Sequence, residues 1–179
     1  FNDNRGTYNG QFQNTQGNHM TSWANYSTLL PLNVIIAGSN VLDDKIVGEA
    51  YTLRALSYFY LMNVYSYMPT AIEATQNRGG VPLVTDAVLS LQDITLPARS
   101  SIDEVYDFML ADIVRAIALL DNTGTNARIT KAAAQALGSR IALYAGEWQL
   151  SIDYAQAAIA SNVGTFSSRA SYAADWLSS

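Results

Sequence analysis

Asp103, Glu104, Asp107 and Asp112 are the densest acids of the chain. Paired carboxylates are what a glycosidase needs, one to protonate the leaving oxygen and one to attack or to activate water. The helical period puts these four on a solvated face, which argues against an α-helical glycosidase. The single His, His19, is the other group suited to proton transfer. No G-x-S-x-G elbow, HExxH, GxxxxGK or GxGxxG accompanies it. Beside Met20 and Trp23 it reads as a surface or helix-start residue. Cys is absent, so disulfides, Cys-based zinc sites, iron–sulfur clusters and thiol catalysis are excluded. The expectation is a protein that is not an enzyme, with no catalytic residue, metal or cofactor.

Binding chemistry is better represented. Asn4, Arg5, Tyr8, Phe12 and Asn14 lie in Phe1–Asn18, a stretch with neither helical nor alternating period. An aromatic ring covers the apolar C–H face of a pyranose, while Asn and Arg hydrogen-bond its hydroxyls. These five residues are the candidate ligand-binding set; the plainer alternative is an ordinary polar loop. Ten Lys and Arg against fifteen Asp and Glu, a net charge of −5, argue against nucleic acid as a partner. A chain of 179 residues, 49% hydrophobic, is long enough for one domain with a real core.

The elements that would position such groups are helices. Thr21 or Ser22 can cap a helix running to about Ala37, with Trp23, Tyr26, Leu30, Val34 and Ala37 on one face. Pro31 should bend or split it. Asp43 or Asp44 opens a second helix to about Met68, with Ile46, Ala50, Leu53, Ser57, Tyr60 and Val64 as one stripe. Tyr51, Ala55, Tyr58, Phe59 and Met62 cover much of the remainder, so this helix belongs inside a bundle. Its five Tyr, Arg54 and Asn63 argue against a membrane span. Arg54 is the only charge between Ala50 and Met68 and needs an acidic partner, for which Glu49 is nearby.

Pro69–Ser100 is a long excursion with a short β-like run, Val81–Thr85. Loops of this length are often functional, which makes it a second candidate contact surface. Ser101 and Glu104 then form a capping box. The helix it opens carries a buried stripe of Ile102, Val105, Tyr106, Met109, Ile113, Ala116, Ile117 and Leu120, with Asp107, Asp112 and Arg115 off it. Thr130 can cap a helix to about Ala145, whose Ala132, Ala133, Ala134, Ala136, Gly138 and Ser139 admit a close neighbour. After the turn Gly146-Glu147-Trp148, a last helix spans Gln149–Ser161 with Ile152, Ala155 and Ile159 inward.

The Leu137–Ala158 segment reads as a tetratricopeptide-type hairpin, small residues where the helices touch and large ones in the gaps. Several segments in order add a sharper resemblance. Glu49-Ala50-Tyr51-Thr52-Leu53-Arg54-Ala55-Leu56-Ser57-Tyr58-Phe59-Tyr60 resembles the "EARFLRAxxYF" helix of the SusD/RagB family. Gly80-Val81-Pro82-Leu83-Val84 is similar to its "GxVPLV" segment, and Arg99–Tyr106 to its "PRxSxxEVY" helix start. Arg128-Ile129-Thr130-Lys131, with Arg140-Ile141-Ala142-Leu143-Tyr144, resembles its "RxTKxAAxALLARVYLY" hairpin. Trp23, Tyr26 and Asn33 fit its upstream "W…Y…N" helix more loosely. Within these motifs Glu49, Arg54, Arg99, Arg128, Lys131 and Arg140 are read as structural. Tyr51-Thr52 replaces the family's usual Arg-Phe, and Tyr67–Gly79 is longer than its usual turn.

The resemblance implies an all-α fold of tetratricopeptide-like helical hairpins with long loops. It implies a non-catalytic, lipid-anchored protein on the outer-membrane surface of Bacteroidetes. Such a protein binds glycans or peptides as nutrients and delivers them to a SusC-like TonB-dependent transporter. The only membrane contact it implies is a lipid anchor absent from this chain. A chain starting at Phe1 reads as a mature or trimmed product, and as the N-terminal tetratricopeptide-like portion of a longer protein. The expected organisation is a loop region at 1–20, a helical domain at 21–166 containing the excursion at 69–100, and a C-terminal segment at 167–179. The rival reading is a soluble tetratricopeptide-type adaptor for a protein or peptide, which predicts further hairpins at a spacing of about 34 residues.

Overall fold

Among the described residues, helix-opening and helix-closing residues mark out five helices. The computed structural model describes residues 25–71, 79–123, 127–164, 168–172 and 174. They form α1 (Asn25–Ala37), α2 (Asp44–Tyr65), α3 (Ile102–Leu119), α4 (Lys131–Ala145) and α5 (Trp148–Ala160). Two short 3-10 turns, Pro69–Ala71 and Leu91–Asp93, lie in the connection between α2 and α3. The caps are those the residue types dictate. The Asp43 side chain accepts from the Lys45 N–H. Ser101 and Glu104 satisfy one another's backbone N–H groups reciprocally. Thr130 accepts from the Ala133 N–H, and Gly146 closes α4 with φ +86°, a left-handed conformation that glycine adopts without steric cost.

Consecutive helices pack on one another: α1 on α2, α2 on α3, α3 on α4 and α4 on α5. The core lies among them and is built from Leu29, Tyr58, Leu61, Met62, Met109, Ile113 and Ile141. The aromatic rings meet edge to face, Tyr58 with Phe108 at 5.5 Å and Phe59 with Tyr144 at 5.0 Å between centroids. Gly138 lets α4 approach its neighbours closely. A methyl there would sit 2.7 Å from the Ile113 Cγ2 and 3.0 Å from the Tyr154 ring. Next to it on α4, Ser139 and Ser151 exchange hydrogen bonds through their hydroxyls and carbonyls, joining α4 to α5.

Several expectations change. Pro31 leaves α1 as one helix through Asn25–Ala37 rather than splitting it. On α1 the buried residues are Leu29, Leu32 and Asn33, whereas Leu30 and Val34 are exposed. On α2, Ile46, Leu53, Tyr60 and Val64 are exposed, and Val47, Ala50, Arg54, Ala55, Tyr58, Phe59, Leu61 and Met62 are buried. A helix that is apolar nearly all round has no preferred phase in its own sequence, so the neighbours decide which face is covered. On α5, Ile152 and Ile159 face solvent while Ser151 and Tyr154 face the core side. Gly138 and Ser139 of α4 take Tyr154 and Ser151 of α5 against them, which turns Ile152 and Ile159 outward. Val81–Thr85 forms no strand among the described residues; a single antiparallel bridge joins Pro82 and Arg99. His19, Trp23 and the proposed Thr21 or Ser22 cap lie outside the described residues.

Candidate functional site

The five candidate ligand residues, Asn4, Arg5, Tyr8, Phe12 and Asn14, lie outside the described residues. What the structure brings together instead is a polar node inside the bundle, and it is not the one the sequence suggests. Arg54 does not pair with Glu49. Its Nε donates to the Asp112 Oδ2 at 2.7 Å and its Nη2 to Oδ1 at 2.9 Å, a bidentate ion pair between α2 and α3. Nη1 donates to the Asn33 Oδ1 on α1 at 2.9 Å. Arg115 reaches the same Asp112 Oδ1 at 3.3 Å from one turn further along α3. The Arg54 and Asp112 side chains are 4% and 0% exposed, which makes Asp112 a core residue rather than part of a solvated face.

Burial pushes the Asp112 carboxyl above its ordinary range, and the Arg54 and Arg115 guanidiniums pull it back down. Tyr51 and Phe108 complete the enclosure, with the Arg54 guanidinium carbon 5.4 and 4.8 Å from their ring centroids. Tyr51 also carries Arg115 at 5.6 Å, so the Tyr that replaces the family's Arg meets both cations. A charge this deep is retained only when it is paired and hydrogen-bonded, and Arg54 donates from all three of its nitrogens to protein acceptors. The node is therefore structural. No group of three or more His, Cys, Asp or Glu among the described residues is arranged to hold a metal ion.

The node reaches the long connection. Asn33 Nδ2 donates to the carbonyls of Val84 at 2.9 Å and Asp86 at 3.2 Å. The Tyr58 hydroxyl both donates to the Val84 carbonyl and accepts from the Val84 N–H, at 3.0 and 2.7 Å. Tyr26 donates to the Pro82 carbonyl. Burial raises both phenols, Tyr58 to about 12, so both stay protonated and able to donate. At the far end, Arg99 donates to the Gly80 carbonyl and Gly80 N–H to the Ser100 carbonyl, holding the two feet of the segment together. From Leu89 to Arg99 the chain is exposed, and Leu89, Leu91, Ile94 and Leu96 stand 78, 83, 53 and 94% open. A run of aliphatic side chains that open is the usual mark of a contact surface.

The other residues read as structural divide. Glu49 accepts from the Arg128 Nε at 2.6 Å and from the Ile129 N–H at 3.1 Å, tying α2 to the start of α4. Among the described residues Lys131 and Arg140 carry no ion pair, and Arg140 is exposed. A groove of about 500 Å³ runs between α4 and α5, lined by Ala133, Ala136, Ala155, Ala158, Ile159 and Val163 among others. The sequence pairs Arg54 with its near neighbour Glu49 and misses Asn33 and Asp112, although a signal for Asp112 is present. Asp112 lies at helical spacing from Val105, Met109 and Ala116 and so falls on the buried stripe.

Comparisons with known proteins agree with this architecture. A family model described as SusD-like, starch-binding and associating with the outer membrane matches residues 4–143. The SusD-like protein P38 of Formosa agariphila is 32% identical over 120 residues, 67% of this chain and 21% of that protein. A SusD superfamily structure from Bacteroides vulgatus superposes with a TM-score of 0.73 at 25% identity, over 89% of this chain and 38% of the other. One from Bacteroides thetaiotaomicron gives 0.71 at 28% identity, over 83% and 34%. The chain thus spans about a fifth of the curated relative and a third or a little more of the solved structures. The helical order, the ordered motifs and the match over most of its length establish that this chain belongs to the SusD-like family.

Proposed function

We propose that this chain is part of a non-catalytic glycan-binding protein at the outer-membrane surface that passes its ligand to a SusC-like TonB-dependent transporter. The observation that carries the reading is the match of residues 4–143 to a family described as starch-binding and outer-membrane-associated. The physics is compatible with it. A bundle with a hydrogen-bonded polar node and an apolar core is a rigid frame, and rigid frames present loops with little loss of entropy on binding. No helix among the described residues is long and apolar enough to cross a membrane. Residence at the membrane in this reading comes from a lipid anchor and from the transporter.

For ligand contact we retain Asn4, Arg5, Tyr8, Phe12 and Asn14 on chemical grounds, as stacking and hydroxyl-binding groups. The test is isothermal titration of the full-length protein with starch, other glucans and unrelated peptides, alongside Tyr8→Ala and Phe12→Ala. Glycan binding weakened by about tenfold in either variant supports both parts of the reading. Peptide binding without any glycan binding would replace it. The groove between α4 and α5 favours that second reading, a peptide-binding adaptor, and Ala136→Leu, which fills the groove, would then abolish binding.

A further inference from the structure

Whatever the ligand, the connection between α2 and α3 is held from inside the bundle in an unusual way. Its register point is Val84, whose N–H and carbonyl both meet the Tyr58 hydroxyl and whose carbonyl also accepts from Asn33. Asn33 can donate there only in one orientation of its amide. Arg54 enforces that orientation, because Nη1 is a donor and must face the amide oxygen. Arg54 in turn is aimed by Asp112, which takes Nε and Nη2 and leaves Nη1 pointing at α1. The three side chains come from three different helices and connect in series.

We propose that Asp112, Arg54 and Asn33 are positioning residues forming a relay that sets the placement of the strap running through Val84 and Asp86 to its apolar outer arc. The bundle has main contacts besides the relay, since Tyr58, Leu61, Met62, Met109, Ile113 and Ile141 form its apolar core. The strap does depend on it. From Leu89 to Arg99 every residue is exposed, and Leu89, Ser90 and Asp93 hydrogen-bond one another within the strap itself. Loss of the relay therefore loosens the strap, with Leu89, Leu91, Ile94 and Leu96 on it, while the helices stay folded.

The test is amide hydrogen exchange on the whole chain, read at Val84 in the strap and at Leu61 and Met62 in α2. Arg54→Lys keeps a cation against Asp112 but lacks the planar fork that also reaches Asn33. Asn33→Ala removes the last link. Each is expected to speed exchange at Val84 by about tenfold or more and at Leu61 and Met62 by less than about threefold. In the double variant Val84 should exchange no faster than in Asn33→Ala alone, as links in series require. Acceleration of all three amides together would mean that the ion pair merely stabilises the bundle. An unchanged Val84 would mean that Tyr58 holds the strap unaided. Additive effects in the double variant would break the series. Any of these overturns the relay; if Arg54→Lys does not fold, Asn33→Ala alone decides by the same split.

Discussion

Gly138 offers the sharpest test of how the helices are packed. A Cβ built there lies 2.7 Å from the Ile113 Cγ2 and 3.0 and 3.2 Å from two atoms of the Tyr154 ring. Carbon atoms in contact prefer a separation of about 3.5–4.0 Å, so one methyl requires most of an ångström of movement. Ile113 is 0% exposed and cannot give way outward. Overpacking of this kind costs about 1–3 kcal/mol. Against it stands the helix propensity of Ala, better than Gly by about 1 kcal/mol in a helix interior. We expect Gly138→Ala to lose about 1 kcal/mol net, or about 2–4 °C in melting temperature for a chain of this size. Gly138→Val adds two more carbons and regains less propensity, so about 3 kcal/mol is expected. The control is Gly164→Ala, whose Cβ would meet nothing within 4 Å; it should be neutral or slightly stabilising. The assay is urea denaturation followed by far-UV circular dichroism. A Gly138→Ala variant more stable than the parent would show that α3, α4 and α5 are not in the close contact described.

Ser101→Ala removes the acceptor for the Glu104 N–H and half of the capping box, and should cost about 1 kcal/mol in the same assay. Acid titration should reveal carboxylates held below their ordinary range. Hydrogen bonds from Thr123 and Lys45 bring Asp121 down to about 2, and backbone N–H groups lower Asp93 and Glu104. A lowered folded pKa gives stability present above about pH 4 and lost as pH falls toward 2, so the midpoint urea concentration should drop across that window. Asp121→Asn should flatten the drop, and added salt should shrink the contribution of this exposed pair. Asp112, raised by burial, acts in the opposite sense and should oppose the loss. The open aliphatic side chains should drive self-association of the isolated 179-residue chain. Light scattering should show Leu91→Ser with Leu96→Ser reducing it, and a monodisperse parent at high concentration would contradict the expectation.

Much of the fold is local and was readable as such. Asp43, the Ser101–Glu104 box, Thr130 and Gly146 mark helix ends because each satisfies backbone groups within a few residues of itself. Small residues at Gly138 and Ser139 announced a close helix pair, because only the absence of a side chain permits that approach. The ordered motifs, Glu49–Tyr60 through Tyr144, pointed to the family. What the sequence alone left open is which way the apolar helices turn and which charges meet. The α2 helix offers apolar residues on every side, and it takes α1, α3 and the strap to bury Tyr58 and Leu61 while leaving Tyr60 and Val64 outside. Glu49 is five residues from Arg54 in the chain, yet Arg54 meets Asp112, 58 residues away, and Glu49 meets Arg128 across the bundle. A buried cation takes the partner that its helix face is turned toward. That face is chosen by packing among distant elements, which proximity along the chain does not encode.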